Sequence, residues 1–118
     1  MKHYQMYIDG QWCNAEDGAT LESVNPATGK VWASAAVAGE AEVNRAVEAA
    51  DRALRQGPWA EMNATQRGKM MRKLGDLVAK NAQHLGEVET TDSGKLASET
   101  WAQTGYVAEY YYLSLIHI

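Results

Sequence analysis

The chain has 118 residues, which is enough for one domain of modest size. Its formal net charge of −4 gives no basic field for nucleic acid, and no apolar run approaches membrane-spanning length. The single cysteine excludes an internal disulfide, and the first residues lack the apolar core of a signal peptide, so we expect a cytoplasmic protein.

The apolar residues are of a kind that builds a weak core. Hydrophobic residues make up 46% of the chain, but phenylalanine is absent and large aliphatic side chains are thinly spread among alanines. Because burial contributes about 25 cal/mol per Å² of apolar surface, alanines stabilise little. We interpret the chain as a piece that depends on further protein, with a small self-sufficient domain as the alternative.

The chain before Gly39 is predicted to be a β-rich ribbon. Residues 4–14 have the pattern of a hairpin, because Asp9-Gly10 tolerates the positive φ angles of a tight type I′ turn. Residues 21–25 form a short extended segment that stops at Pro26, and residues 31–37 alternate apolar side chains on one face.

A helix is predicted from Gly39 to Gln56, followed by a short connection at Pro58. Glu40 and Glu42 lie in its first turn, where the helix dipole favours negative charge. Its apolar stripe consists of Val43, Ala46, Val47, Ala50, Ala53 and Leu54.

The clearest helical pattern runs from Asn63 to Gly94. Asn63 and Gln66 are a capping box, Gly94 can adopt the left-handed conformation that ends a helix, and Asn81 predicts a break near Lys80. The opposite face carries charges that water solvates. The predicted apolar stripe is Met70, Met71, Leu74, Leu77, Val78, Ala82, Leu85 and Val88.

A last helix is predicted from about Ala97. Its apolar residues recur at steps of three or four. The chain has no internal repeat, low-complexity tract or linker. The stripe is Ala97, Trp101, Gly105, Ala108 and Tyr112.

No set of residues in this sequence has the pattern of a catalytic centre. Cys13 has no cation or base beside it in sequence, so we interpret it as structural. Ser93-Gly94-Lys95 lacks the first glycine, the hydroxyl residue and the preceding strand of a phosphate-binding loop. The three histidines lack metal-ligand spacing, and Glu89 with Asp92 is a carboxylate pair of the kind that usually lies solvated at a helix end.

Several blocks of sequence nevertheless resemble one family. They are Tyr7-Ile8-Asp9-Gly10-Gln11-Trp12, then Val24-Asn25-Pro26-Ala27-Thr28-Gly29-Lys30-Val31, Trp59 with Thr65-Gln66-Arg67, and Glu89-Thr90-Thr91-Asp92-Ser93-Gly94-Lys95. In this order they resemble the opening of NAD(P)-dependent aldehyde dehydrogenases, from about Met6 to Tyr112. Leu96 departs from the proline that many members carry after Gly-Lys.

The resemblance implies an α/β fold, namely the N-terminal part of the aldehyde dehydrogenase fold. It would consist of a β-hairpin ribbon and three to four helices that pack on a missing Rossmann-like domain. Residues 1–112 would then be a truncated portion of the cofactor-binding domain. The alternative is a small non-catalytic helical module that binds a protein partner through its Trp and Tyr surface.

The implied parent enzyme oxidises an aldehyde to a carboxylic acid with NAD or NADP through a cysteine thiohemiacetal. Its catalytic and principal cofactor-binding residues lie beyond this chain, so we assign none here and expect the fragment to be inactive. The implied parent is a cytoplasmic homodimer or homotetramer that acts on a small aldehyde, without nucleic acid or membrane partners.

One site is implied within these residues. Many family members bind a monovalent cation such as potassium, and the matching residues are Ser23, Val24 and Asp92. Backbone carbonyls before the Pro26 turn and one carboxylate are oxygen ligands that suit such an ion. The alternative is that Asp92 only caps the turn.

Residues 113–118 do not continue the resemblance. They read Leu-Ser-Leu-Ile-His-Ile, which one frame of CTGTCTCTTATACACATC encodes, and that string resembles the transposase end used in sequencing adapters. We interpret this segment as an adapter-derived tail and exclude it from fold reasoning.

Overall fold

The computed structural model describes residues 1–114, in which the chain forms two compact units. The first unit, Met1–Glu61, contains five strands and two helices. They are β1 Lys2–Tyr4, β2 Met6–Ile8, β3 Gln11–Cys13, β4 Thr20–Asn25, β5 Lys30–Ala36, α1 Glu40–Arg55 and α2 Pro58–Glu61. The second unit begins at Met62 and contains α3 Ala64–Lys80, α4 Ala82–Ser93 and α5 Ala97–Ser114.

The first unit has two small sheets. β5 is the central strand of one, between β1, to which it is parallel, and β4, to which it is antiparallel. β2 and β3 form the predicted hairpin, and Asp9 and Gly10 at its turn have φ angles of 52° and 78°, as a type I′ turn requires. The β-rich character of this part of the chain is therefore confirmed.

β1 was not predicted from the sequence, and Tyr4 was assigned wrongly to the hairpin. The residue belongs to β1, where it lies opposite Ala35 in the parallel register. A three-residue strand has almost no alternation of its own, and its partner is distant in the sequence, so no local pattern identifies it. The segment at Pro58, which was predicted to be a short connection, forms a single helical turn, α2.

Glu42 fixes the start of α1. It is a buried carboxylate whose Oε1 accepts the backbone N–H of Glu16 at 3.0 Å and whose Oε2 accepts that of Gly39 at 2.8 Å. The bonds from Glu16 and then Gly39 lower the pKa of this carboxyl. The sequence predicts a helix-dipole role for Glu42, and the structure adds a specific one, because the side chain joins the turn before β4 to the helix.

The Asn63 capping box and the Gly94 cap of the second unit are confirmed. Asn63 Oδ1 accepts the Gln66 N–H at 3.0 Å and Gln66 Oε1 accepts the Asn63 N–H at 2.9 Å, which completes the capping box. Asn81 separates α3 from α4, where the break was predicted, and Gly94 ends α4 with φ 75°.

The buried faces of α3 and α5 match the predicted apolar stripes only in part. On α3 the buried residue is Gly75, while Met70, Leu74 and Leu77 are exposed. On α5 Ala108 is buried as predicted, but the predicted positions Trp101 and Gly105 are exposed, and the other buried residues are Thr100 and Thr104. Thr100 and Thr104 contact α4, and Gly75 of α3 lies against the Tyr112 ring of α5. A search for large apolar side chains overlooks such small residues at helix contacts.

The buried threonines of α5, Thr100 and Thr104, form hydrogen bonds through their hydroxyl groups. The hydroxyls of Thr90 and Thr100 lie 2.7 Å apart, and the Thr104 hydroxyl is 2.8 Å from the Ala82 carbonyl oxygen, to which it can donate. A buried hydroxyl with a partner avoids the desolvation penalty that an unpaired one would carry. Within residues 1–114, none of the helices has the length and apolarity needed to cross a lipid bilayer.

Candidate functional site

Ser23 and Val24 flank an irregularity in the sheet of the first unit. Ser23 lies opposite Ala33 and Val24 lies opposite Val31, so that Trp32 is an extra residue on β5, as in a β-bulge. The indole N–H of Trp32 donates to Ser23 Oγ at 2.8 Å. The bulge interrupts the ladder of β4, an edge strand, at the two residues proposed as carbonyl ligands.

Ser23 and Val24 lie inside β4 and pair with β5, so the turn at Pro26 does not itself free their carbonyls from the ladder. Asn25 closes the turn itself, since its side-chain oxygen accepts the Ala27 N–H at 2.9 Å. The local interruption is the bulge, whose position depends on β5 and could not be read from the segment around Pro26.

Asp92 lies in the last turn of α4, in the second unit. Gly94 follows as the left-handed C-cap, and its N–H donates to the Thr90 carbonyl at 2.9 Å. The Asp92 side chain is therefore placed at the negative end of the helix dipole, where a cation is favoured. The structure thus sets Ser23 and Val24 side by side on one strand and Asp92 at a helix end in the other unit.

A metal site built from several ionisable side chains would differ from a site of backbone carbonyls. Among residues 1–114, no group of three or more His, Cys, Asp and Glu side chains is arranged to hold a metal ion. A site made of backbone carbonyls and a single carboxylate is not of that kind. Carbonyl and carboxylate oxygens are hard donors that suit hard cations.

Cys13 has a neighbour that the sequence did not reveal. Arg45 Nη2 donates to its Sγ at 3.4 Å, so a cation lies near the thiol in space although none lies beside it in sequence. Both residues line a groove of about 160 Å³ with Asp9, whose carboxylate is bound to Arg52 at 2.7 Å. Because that carboxylate is already held by Arg52, Asp9 is a poor base for the thiol, and we keep the structural interpretation of Cys13.

His3 also has a role that sequence reasoning missed. The Ser34 hydroxyl lies 2.9 Å from its Nδ1, and Asn14 Oδ1 lies 3.0 Å from its Nε2. Because an amide oxygen only accepts, Nε2 donates to Asn14, and in the neutral ring Nδ1 then accepts from Ser34. The order resembles a catalytic triad, but Ser34 is only 7% exposed in the central strand, so the cluster instead ties β1 to β5.

Comparison with known proteins gives one consistent answer. The sequence profile of the Aldehyde dehydrogenase family matches residues 12–116. The chain is 49% identical over 112 residues to (Z)-2-((N-methylformamido)methylene)-5-hydroxybutyrolactone dehydrogenase of Acinetobacter baylyi, covering 94% of this chain and 22% of that protein. It is 37% identical over 106 residues to glutarate-semialdehyde dehydrogenase of Pseudomonas putida, covering 90% and 22%.

Solved structures agree with the sequence relatives. The NAD+ complex of an aldehyde dehydrogenase from Bacillus cereus superposes with a TM-score of 0.93 at 33% identity, covering 97% of this chain and 23% of that one. An NAD-dependent aldehyde dehydrogenase from Sinorhizobium meliloti gives a TM-score of 0.91 at 30% identity, covering 98% and 23%.

The chain spans about a fifth of the length of these relatives. The profile match covers most of the chain, and the strands and helices of the structure follow the N-terminal part of the same fold. This chain therefore belongs to the aldehyde dehydrogenase family.

Proposed function

We propose that this chain is part of an oxidoreductase that oxidises an aldehyde to a carboxylic acid with NAD or NADP. The observation that carries the proposal is the agreement of sequence and fold over nearly the whole chain, including 49% identity to a dehydrogenase over 94% of its residues. A solved relative with the same fold is an NAD+ complex, which supports a nicotinamide cofactor for the complete protein.

The chemistry of that reaction requires groups that we do not assign to this chain. In the family reaction a cysteine thiolate attacks the aldehyde carbon, hydride passes to the nicotinamide, and water releases the acid. Cys13 does not match the position of the nucleophile, and its neighbour Arg45 is not a base. We therefore propose that these residues form a structural part of the enzyme and that the 118-residue chain alone is inactive.

The names of the relatives guide the choice of substrates to test. One relative is (Z)-2-((N-methylformamido)methylene)-5-hydroxybutyrolactone dehydrogenase and another is glutarate-semialdehyde dehydrogenase. We propose a small aldehyde as the substrate of the complete protein, and we include glutarate semialdehyde in the first panel. We further propose a cytoplasmic homodimer or homotetramer, as the family resemblance implies.

The decisive experiment begins with the genomic DNA after the codon for Tyr112. We expect an open reading frame that encodes a cysteine nucleophile and a glutamate base, and the purified product should reduce NAD+ or NADP+ when an aldehyde is added. The 118-residue chain at equal molar concentration is the control and should produce no NADH or NADPH. A stop codon directly after Tyr112, or a full-length product inactive on every aldehyde of the panel, would overturn the proposal.

We also propose that Ser23, Val24 and Asp92 bind a monovalent cation such as potassium in the complete protein. Three observations support it: the match to the family pattern, the bulge between Ser23 and Val24, and the position of Asp92 at the C-terminal end of α4. A bulge re-aims backbone groups locally, and a helix C-terminus attracts positive charge. The proposed role is structural, since none of the three residues is placed in the reaction.

A further inference from the structure

We draw no further inference here: the strongest candidate, the exposed apolar face of α5 around Tyr106, Val107 and Tyr110, is a bare helix surface, and nothing in the structure shows what covers it.

Discussion

The Tyr112 hydroxyl donates a hydrogen bond to the Asp76 carboxylate at 2.7 Å and thereby holds its ring against the neighbouring residue of α3, Gly75. A Cβ built on Gly75 would lie 2.6 Å from Cε1 of that ring. The guanidinium of Arg72 lies 5.8 Å from the centre of the same ring. The α3–α5 contact in the second unit therefore requires that residue 75 is a glycine, which has no side chain.

This contact predicts opposite outcomes for two glycine substitutions. Gly75→Ala should destabilise the complete protein by about 1–3 kcal/mol, because the added methyl group overpacks the contact and the Tyr112 ring is held by Asp76. Gly105→Ala is the matched control on α5, where an added Cβ meets nothing within 4 Å among residues 1–114. There, helix propensity alone should stabilise by up to about 1 kcal/mol.

The temperature of half-inactivation of the full-length enzyme would measure both variants. Gly75→Ala should lower that temperature and Gly105→Ala should leave it unchanged or raise it. The Tyr112→Ala background provides a further test, since Gly75→Ala should lower the temperature of half-inactivation much less once the Tyr112 ring is removed. If Gly75→Ala lowered the temperature of half-inactivation equally with and without the Tyr112 ring, the contact between Gly75 and Tyr112 would not be the cause of the destabilisation.

The position of Gly75 also illustrates what the sequence could and could not predict. The capping box of Asn63, the break at Asn81, the Gly94 cap and the Asp9-Gly10 turn were correct because each depends on residues within a few positions. A polar or small buried face, by contrast, depends on which neighbour packs there. Periodicity of large apolar residues therefore selected Trp101 on α5, where the structure buries Thr100.

Long-range contacts account for the remaining differences, including those around the candidate site. The pairing of β1 with β5 places His3 beside Ser34, and α1 places Arg45 beside Cys13, and neither relationship has a local signal. At the proposed cation site the family pattern located Ser23 in sequence, but the bulge that interrupts its ladder depends on Trp32 of a different strand.

Glu42 predicts an acid-dependent stability of the first unit. Its folded-state pKa is lowered from the ordinary value of 4.5, so its stabilising contribution is present above that value and is lost as pH falls through the folded-state pKa. Glu42→Gln should therefore destabilise the full-length protein at neutral pH, and this difference from wild type should shrink as the pH falls below about 4.5.

Urea unfolding at several pH values, followed by circular dichroism, would measure this difference. The control is Glu48→Gln, which removes a carboxylate from an exposed position on the same helix and should change stability little at any pH. If Glu42→Gln lowered the free energy of unfolding by as much in acid as at neutral pH, the charge of Glu42 would not be what stabilises the start of α1.

The exposed apolar side chains predict how the 118-residue chain behaves alone. Val43 and Val47 on α1, Leu74 and Leu77 on α3 and Trp101 on α5 are each more than two-fifths exposed. Apolar patches of more than a few hundred Å² promote association. We expect this chain to be a partly helical, aggregation-prone or molten species, while the full-length protein remains dispersed.

Light scattering together with thermal scans by near-ultraviolet circular dichroism would test that expectation. A monomer with a sharp two-state transition would contradict it and would favour the alternative interpretation, a small module complete in itself. The full-length protein, purified in the same buffer, is the control for conditions that aggregate any protein.

Removal of the Asp92 carboxylate tests the proposed cation site. In the full-length enzyme, Asp92→Ala should lower the thermal unfolding temperature in potassium and weaken the stabilisation that potassium gives over a bulky organic cation. A ligand that binds only the folded state stabilises in proportion to the logarithm of its concentration relative to its dissociation constant, so the wild-type unfolding temperature should rise with potassium. Turnover measured with saturating aldehyde should stay close to wild type, because Asp92 is not placed in the reaction.

The matched control for this prediction is Glu89→Ala, one turn earlier on α4. Glu89 binds the ammonium group of Lys95, so its removal also takes a carboxylate from this helix end but leaves Asp92 in place. We expect potassium to stabilise Glu89→Ala as it does wild type, which separates a specific ligand from the general effect of negative charge near a helix C-terminus. If potassium stabilised Asp92→Ala as strongly as wild type, Asp92 would be a helix-end residue only and the proposed site would be wrong.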